Sequence, residues 1–166
     1  MELKSRRHMA NDLSGAIELC YTNGWTDGLP VIPPTPDRVE AMLNAAGLAP
    51  EHQLAFIEIR QVSVTAEKVA VNAVMAGCKA EYMPVVAGAV EALADPKYGY
   101  HGPPSSTGGS AVIMVVNGPI ARELDINSGD NLFGPGWRAN ATIGRAIRLV
   151  MRNVIGTLPG ELDRSS

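Results

Sequence analysis

Cysteine is scarce in this chain, and the two thiols it has, Cys20 and Cys78, lie far apart with no CxxC pair. That excludes a disulfide scaffold and a cysteine zinc cage, and it fits a reducing compartment. Aromatic residues make up only 5% of the sequence, and the formal net charge is −3. A chain so poor in positive charge lacks the broad footprint that nucleic acid requires. No apolar run approaches the roughly 18–20 residues needed to cross a bilayer. The polar, basic start has no apolar signal core. The composition therefore predicts a cytoplasmic, soluble protein with neither nucleic acid nor membrane as a partner.

What is present is a globular balance: 46% hydrophobic and 19% charged residues over 166 positions, enough for one domain with a substantial core. Residues 10–160 are expected to form that domain. Residues 1–9 are expected to lie outside it as a tail, disordered or added ahead of a native start at Met9. The pattern predicts an α/β or α+β fold, a small central sheet with several packed helices.

Asp12 to Thr22 reads as a helix stopped by Asn23-Gly24. A proline-stiffened stretch follows to Pro36, and a second helix runs from Thr35 to Ala46, closed by Gly47. Phe56 to Val64 alternates and predicts one strand. A helix over 65–76, apolar on nearly all sides, and another over 80–94 follow. Two adjoining helices so low in charge predict that the chain alone does not cover both. Ala111-Val-Ile-Met-Val-Val-Asn117 is a continuous apolar run of strand length and predicts a central strand. A short helical piece, a polar loop over 127–137 and a last helix over 138–155 complete the chain.

Several residues could carry chemistry. Cys78 stands just ahead of an expected helix start, where the dipole and Lys79 would favour the thiolate; alternatively it is a small residue in a tight turn. His101, in a glycine-rich loop, could move a proton near neutral pH, or be merely exposed. Arg138 and the amides of Gly134-Pro-Gly-Trp-Arg-Ala-Asn140 could bind a carboxylate or phosphate; the other reading is a tight turn with a surface arginine. Asn127 and Ser128 could bind a ligand or cap turns. Trp25, with Asp27, could line a pocket or belong to an arm packed over the core. Arg145, Arg148 and Arg152 recur on one helix face, which is a solvated face, a subunit interface or a surface for an acidic ligand. No histidine spacing points to a metal, and no cofactor is indicated.

Three long motifs carry a resemblance: Gly24-Trp-Thr-Asp-Gly-Leu-Pro to Pro36, Ala70-Val-Asn-Ala-Val-Met-Ala-Gly-Cys78 to Pro84, and Asn117 to the Gly134-Pro-Gly-Trp-Arg-Ala-Asn-Ala-Thr-Ile-Gly-Arg145 string. Over residues 12–160 the chain resembles a bacterial family associated with UGSC-type (seleno)protein domains. Cys78, Asn127, Ser128, Arg138 and Asn140 are motif positions, although the chain has no UGSC string of its own. The resemblance implies a site shared between two polypeptides. On that basis the chain is expected to be one subunit of an enzyme acting on a small carboxylate-bearing metabolite. The chemistry would be that of a lyase, or thiol-dependent redox, with Cys78 and His101 catalytic and Arg138, Asn140, Asn127, Ser128 and Trp25 binding the small-molecule substrate. The alternative is a non-catalytic partner that stabilises or gates a UGSC-type catalytic subunit. Either way a homo-oligomer or a heteromer is expected.

Overall fold

The structure is a computed structural model that describes residues 1–100, 102 and 110–160. Helix α1 (Leu13–Thr22) begins where the Asp12 carboxylate accepts from the Gly15 amide at 2.7 Å, satisfying one of the free first-turn donors. Helix α2 (Pro36–Ala46) opens on a proline and ends on Gly47, whose positive φ of 64° closes the last turn. Next comes a hairpin, β1 (Gln53–Ile57) antiparallel to β2 (Val62–Thr65), with Ala55 opposite Val64 and Ile57 opposite Val62. Helices α3 (Ala66–Ala76) and α4 (Met83–Leu93) follow, then the short α5 (Pro119–Glu123) and α6 (Arg138–Val150), which passes into one π-helical turn over Met151–Ile155. The fold is α+β: among the described residues, packed helices with one two-stranded antiparallel sheet.

Helix α3 is the axis of the molecule. Nine of its eleven residues are buried, so neighbours must surround it, and α2, α4, β2 and above all α6 do so. Helix α3 is therefore covered by elements of its own chain. Helix α3 packs mainly on α6; both bury small or branched residues (Ala66, Ala70, Ala73 and Ala76 on α3; Ile143, Ala146, Ile147 and Val150 on α6), while Met83, Val86 and Val90 bury the inner face of α4. Its outer face carries exposed Gly88, Glu91 and Ala92, so one side of α4 suits water.

Two strand expectations are also corrected. The run 56–64 is not one strand: Glu58–Arg60 coil into a 3-10 turn, and Gln61 takes the left-handed region at φ 53°, its side chain donating to the Glu58 carbonyl at 2.7 Å. The run 111–117 is not a central strand. It has no regular structure; Ile113 is 74% and Val115 83% exposed, while Val112 and Met114 are half-buried against the core. Exposure alternates along the run, but among the described residues the hairpin strands pair only with each other. Among the described residues no hydrogen bond joins the 111–117 main chain to any element. Helix 80–94 is shorter than expected, with a 3-10 turn at Ala80–Tyr82 before α4.

Residues 3–5, expected in a free tail, lie against the start of α3. The amides of Lys4 and Ser5 donate to the two carboxylate oxygens of buried Glu67 at 3.0 and 2.7 Å. No helix among the described residues is long and apolar enough to cross a membrane.

Candidate functional site

Two of the residues singled out for chemistry meet around Gly77. This glycine ends α3 with φ 92°, a conformation that costs a residue with Cβ dearly and leaves the helix-terminal carbonyls pointing outward. Arg138, first residue of α6, donates from Nε and Nη2 to the Gly77 carbonyl at 3.1 and 2.9 Å. A guanidinium on the negative end of a helix is a favourable cap. Two of the donors expected to clamp an anion thus fasten α3 to α6.

Cys78 follows at once. It is 7% exposed, and its Sγ donates to the Thr142 carbonyl at 3.3 Å, while Thr142 Oγ1 donates back to the Arg138 carbonyl at 2.7 Å. Burial pushes the thiol up to about 11, outweighing the Arg138 charge that pulls the other way. The expected thiolate is corrected for a geometric reason. Helix α4 starts only at Met83, beyond the 3-10 turn, so Cys78 does not sit on its N-terminus. Its sulfur is packed against α6 instead.

Asn127 and Asn140 are also brought together. Asn140 Oδ1 accepts from the Asn127 amide and its Nδ2 donates to the Asn127 carbonyl, both at 2.9 Å; Nδ2 also reaches the Leu132 carbonyl at 3.2 Å. The Asn127 side chain accepts from the Gly129 amide and donates to the Asp130 carbonyl, each at 3.0 Å. These amides tie the 127–137 loop to the first turn of α6. Ser128 is exposed beside them, and Phe133 stands 86% exposed at the loop. His101 lies outside the described residues.

Trp25 belongs to a different place. Its carbonyl accepts from Asn153 Nδ2 at 2.8 Å, at the far end of the last helix. At about 1.5 Å of rise per residue, that end lies roughly 20 Å from Arg138. The ring is half-buried, with the His8 imidazole edge-on at 5.0 Å between centroids. The segment 24–30 then runs back along α6. Arg152 donates from Nε and Nη2 to the Gly24 carbonyl (3.2 and 3.1 Å), and Arg145 holds the Asp27 carboxylate and the Leu29 and Pro30 carbonyls. Arg145 and Arg152 therefore fasten an arm. Asn72, buried on α3, completes the junction by accepting from Asn153 Nδ2 at 2.8 Å.

The residues that sequence reasoning passed over are Asn72, Asn153, Glu67 and the role of Asp27. A buried Asn or Glu in an otherwise apolar helix was the available signal, because such a group must find a partner. Among the described residues no group of three or more His, Cys, Asp or Glu side chains gathers as metal ligands. Compared with known proteins, the chain matches no family model, no curated protein and no solved structure.

Proposed function

We propose that this chain is a non-catalytic partner subunit that stabilises or gates a UGSC-type catalytic subunit in the cytoplasm. The observation that carries this reading is the 111–117 run. Its composition is that of a strand buried on both faces, yet Ile113 and Val115 face water and its main chain has no ladder partner among the described residues. An apolar edge with open N–H and C=O groups is a template for a strand from another chain. A second consideration weighs against independent catalysis: Cys78 is protonated at neutral pH and walled in by α6. The enzymatic reading, in which Cys78 and His101 act on a small carboxylate-bearing metabolite, needs that thiol uncovered.

The test is co-purification with a UGSC-type protein from the same source, followed by sedimentation. The wild-type chain is expected to form a stable complex, and Val115→Asp is expected to abolish it while the variant remains folded, since the side chain is 83% exposed. A wild-type chain that stays apart from its partner, or a Val115→Asp variant that binds equally well, would overturn the reading.

A further inference from the structure

Asparagine or aspartate followed by glycine is a chemically fragile pair. Glycine has no Cβ to shield its amide nitrogen, which can attack the side chain before it. The chain has three such pairs, Asn23-Gly24, Asp27-Gly28 and Asn117-Gly118, and all lie at the surface.

The fold clamps two of them. Asn23 Nδ2 donates to the Leu19 carbonyl at 2.8 Å, and the Gly24 amide donates to the Tyr21 carbonyl at 2.9 Å. Leaving group and nucleophile are thus both engaged in closing α1. Arg145 forks the Asp27 side chain and keeps it a carboxylate, a poor electrophile, while the Gly28 amide donates to Thr26 Oγ1 at 2.8 Å.

The third pair is open. Among the described residues the Asn117 side chain has no hydrogen-bond partner, and the Gly118 amide has no acceptor. Residues 111–117 have no regular structure, so the Asn117 main chain can turn to bring its Cγ onto the Gly118 nitrogen. A Cβ built at Gly118 would meet nothing within 4 Å, so no neighbour bars the approach. Glycine is imposed here by the backbone, whose φ of 89° a residue with Cβ avoids.

We infer that Asn117-Gly118 is a self-modification site at which Asn117 is deamidated through a cyclic imide. The Gly118 nitrogen gives its proton to solvent base and attacks Asn117 Cγ, forming a C–N bond. The side-chain nitrogen takes protons from water and leaves as ammonia. A water molecule then reopens the ring. Hydrolysis at Cγ yields aspartate; hydrolysis at the main-chain carbonyl yields isoaspartate, with the chain rerouted through Cβ and Cγ. Water is the sole reagent consumed.

Either product puts a negative charge at the end of the uncharged run 111–117, and isoaspartate also lengthens its main chain. Charge at a strand edge opposes pairing, and a longer main chain spoils register. The modification should therefore weaken docking at this edge, a consequence that rests on the partner role proposed above; the chemistry itself does not.

The test incubates the full-length chain at pH 8, folded and in urea, and follows the amide-to-acid change at Asn117 and Asn23 by peptide mass mapping. In the folded chain Asn117 is expected to convert at least about tenfold faster than Asn23, whose two hydrogen bonds must first break. In urea the two should convert at similar rates, since each follows a β-branched residue, Thr22 or Val116. Asn117→Gln, which must close a larger and less favourable ring, should keep its amide. Asn117→Asp should bind the UGSC-type protein more weakly than Asn117→Gln does. Folded Asn117 converting no faster than Asn23 would overturn the site, and so would the same preference in urea, because sequence rather than fold would then select it. Equal binding by the two variants would overturn the consequence for docking. Failure of fresh wild-type chain to bind at all would instead strike the partner role and leave the site standing.

Discussion

Arg145 joins Asp27 through two parallel hydrogen bonds, Nε to Oδ2 and Nη2 to Oδ1, both 2.8 Å, across 118 residues of sequence. Burial alone would raise the Asp27 carboxyl, but the Arg145 hydrogen bonds and charge, with the Asp27 and Leu29 amides, hold it below its ordinary value of 3.8. A carboxyl lowered by folding contributes stability that is present above 3.8 and lost as pH falls through the folded value. Asp27→Asn should therefore cost about 1–2 kcal/mol at pH 7, a figure reduced for partial exposure, and the gap from wild type should close on acidification below 3.8. Arg145→Lys should cost nearly as much, because an ammonium offers no fork and releases the Leu29 and Pro30 carbonyls. Urea midpoints at pH 7 and pH 3 check both. A gap that persists unchanged at pH 3 would contradict the assignment.

The thiols are predicted to be inert. Burial raises both Cys20 and Cys78, the latter to about 11 from an ordinary 9.0. At neutral pH the folded chain should react with iodoacetamide far more slowly than the unfolded chain, with no head start for Cys78. The unfolded chain loses the Cys78 proton near pH 9.0 while the folded chain keeps it to about 11. Stability should therefore be undiminished by this group below pH 9 and decline between pH 9 and 11. Mass-resolved alkylation at several pH values checks this; rapid labelling of Cys78 at pH 7 would restore the thiolate reading.

Glu67 anchors the N-terminal segment. Burial pushes its carboxyl up, yet the hydrogen bonds from Ser5 and Lys4, and the Lys68 charge, leave it below its ordinary 4.5. Removing the carboxylate in Glu67→Ala should release residues 3–5, with loss of amide protection at Lys4 and Ser5 and quicker cleavage by trypsin around Arg6 and Arg7. By the same sign, the wild-type segment should loosen as pH falls below 4.5 through the folded value. Hydrogen exchange at pH 7 and pH 3.5 measures it. Unchanged protection in Glu67→Ala would mean that Leu3, packed on the core, holds the segment unaided.

Helix ends were legible because local chemistry decides them. Asp12, Pro36, Gly47 and Gly77 each act on backbone groups within one turn, and the helices begin or end where those residues stand. The hairpin was illegible because its turn uses Gln61 in the left-handed region, where no glycine or asparagine marks the bend. Residues 111–117 misled for a different reason: an apolar run specifies burial but does not name the partner that provides it. At the candidate site, the sequence offered Arg138 and Asn140 as ligand groups. Their donors are instead directed at the Gly77, Asn127 and Leu132 carbonyls, acceptors that only the folded chain brings near.

The polar junction inside the core yields the last prediction. Asn153 Nδ2 donates to Asn72 Oδ1 and to the Trp25 carbonyl, both at 2.8 Å, while Asn72 Nδ2 donates to the Lys68 carbonyl at 2.9 Å. Asn72 is only 3% exposed, so water cannot easily replace a lost partner. Asn153→Ala leaves an amide oxygen and a main-chain carbonyl without that donor, and should cost about 1–3 kcal/mol. Asn153→Asp should cost more, because a carboxylate would face two acceptors where an NH₂ stood. If the two asparagines act as one unit, the double variant Asn72→Ala/Asn153→Ala should lose less than the sum of the single losses. The arm should report the change as well: with Trp137 replaced by phenylalanine, Trp25 emission should shift to the red in Asn153→Ala as the arm lifts from α6. Strictly additive losses with unchanged Trp25 emission would show that Arg145 and Arg152 hold the arm without this junction.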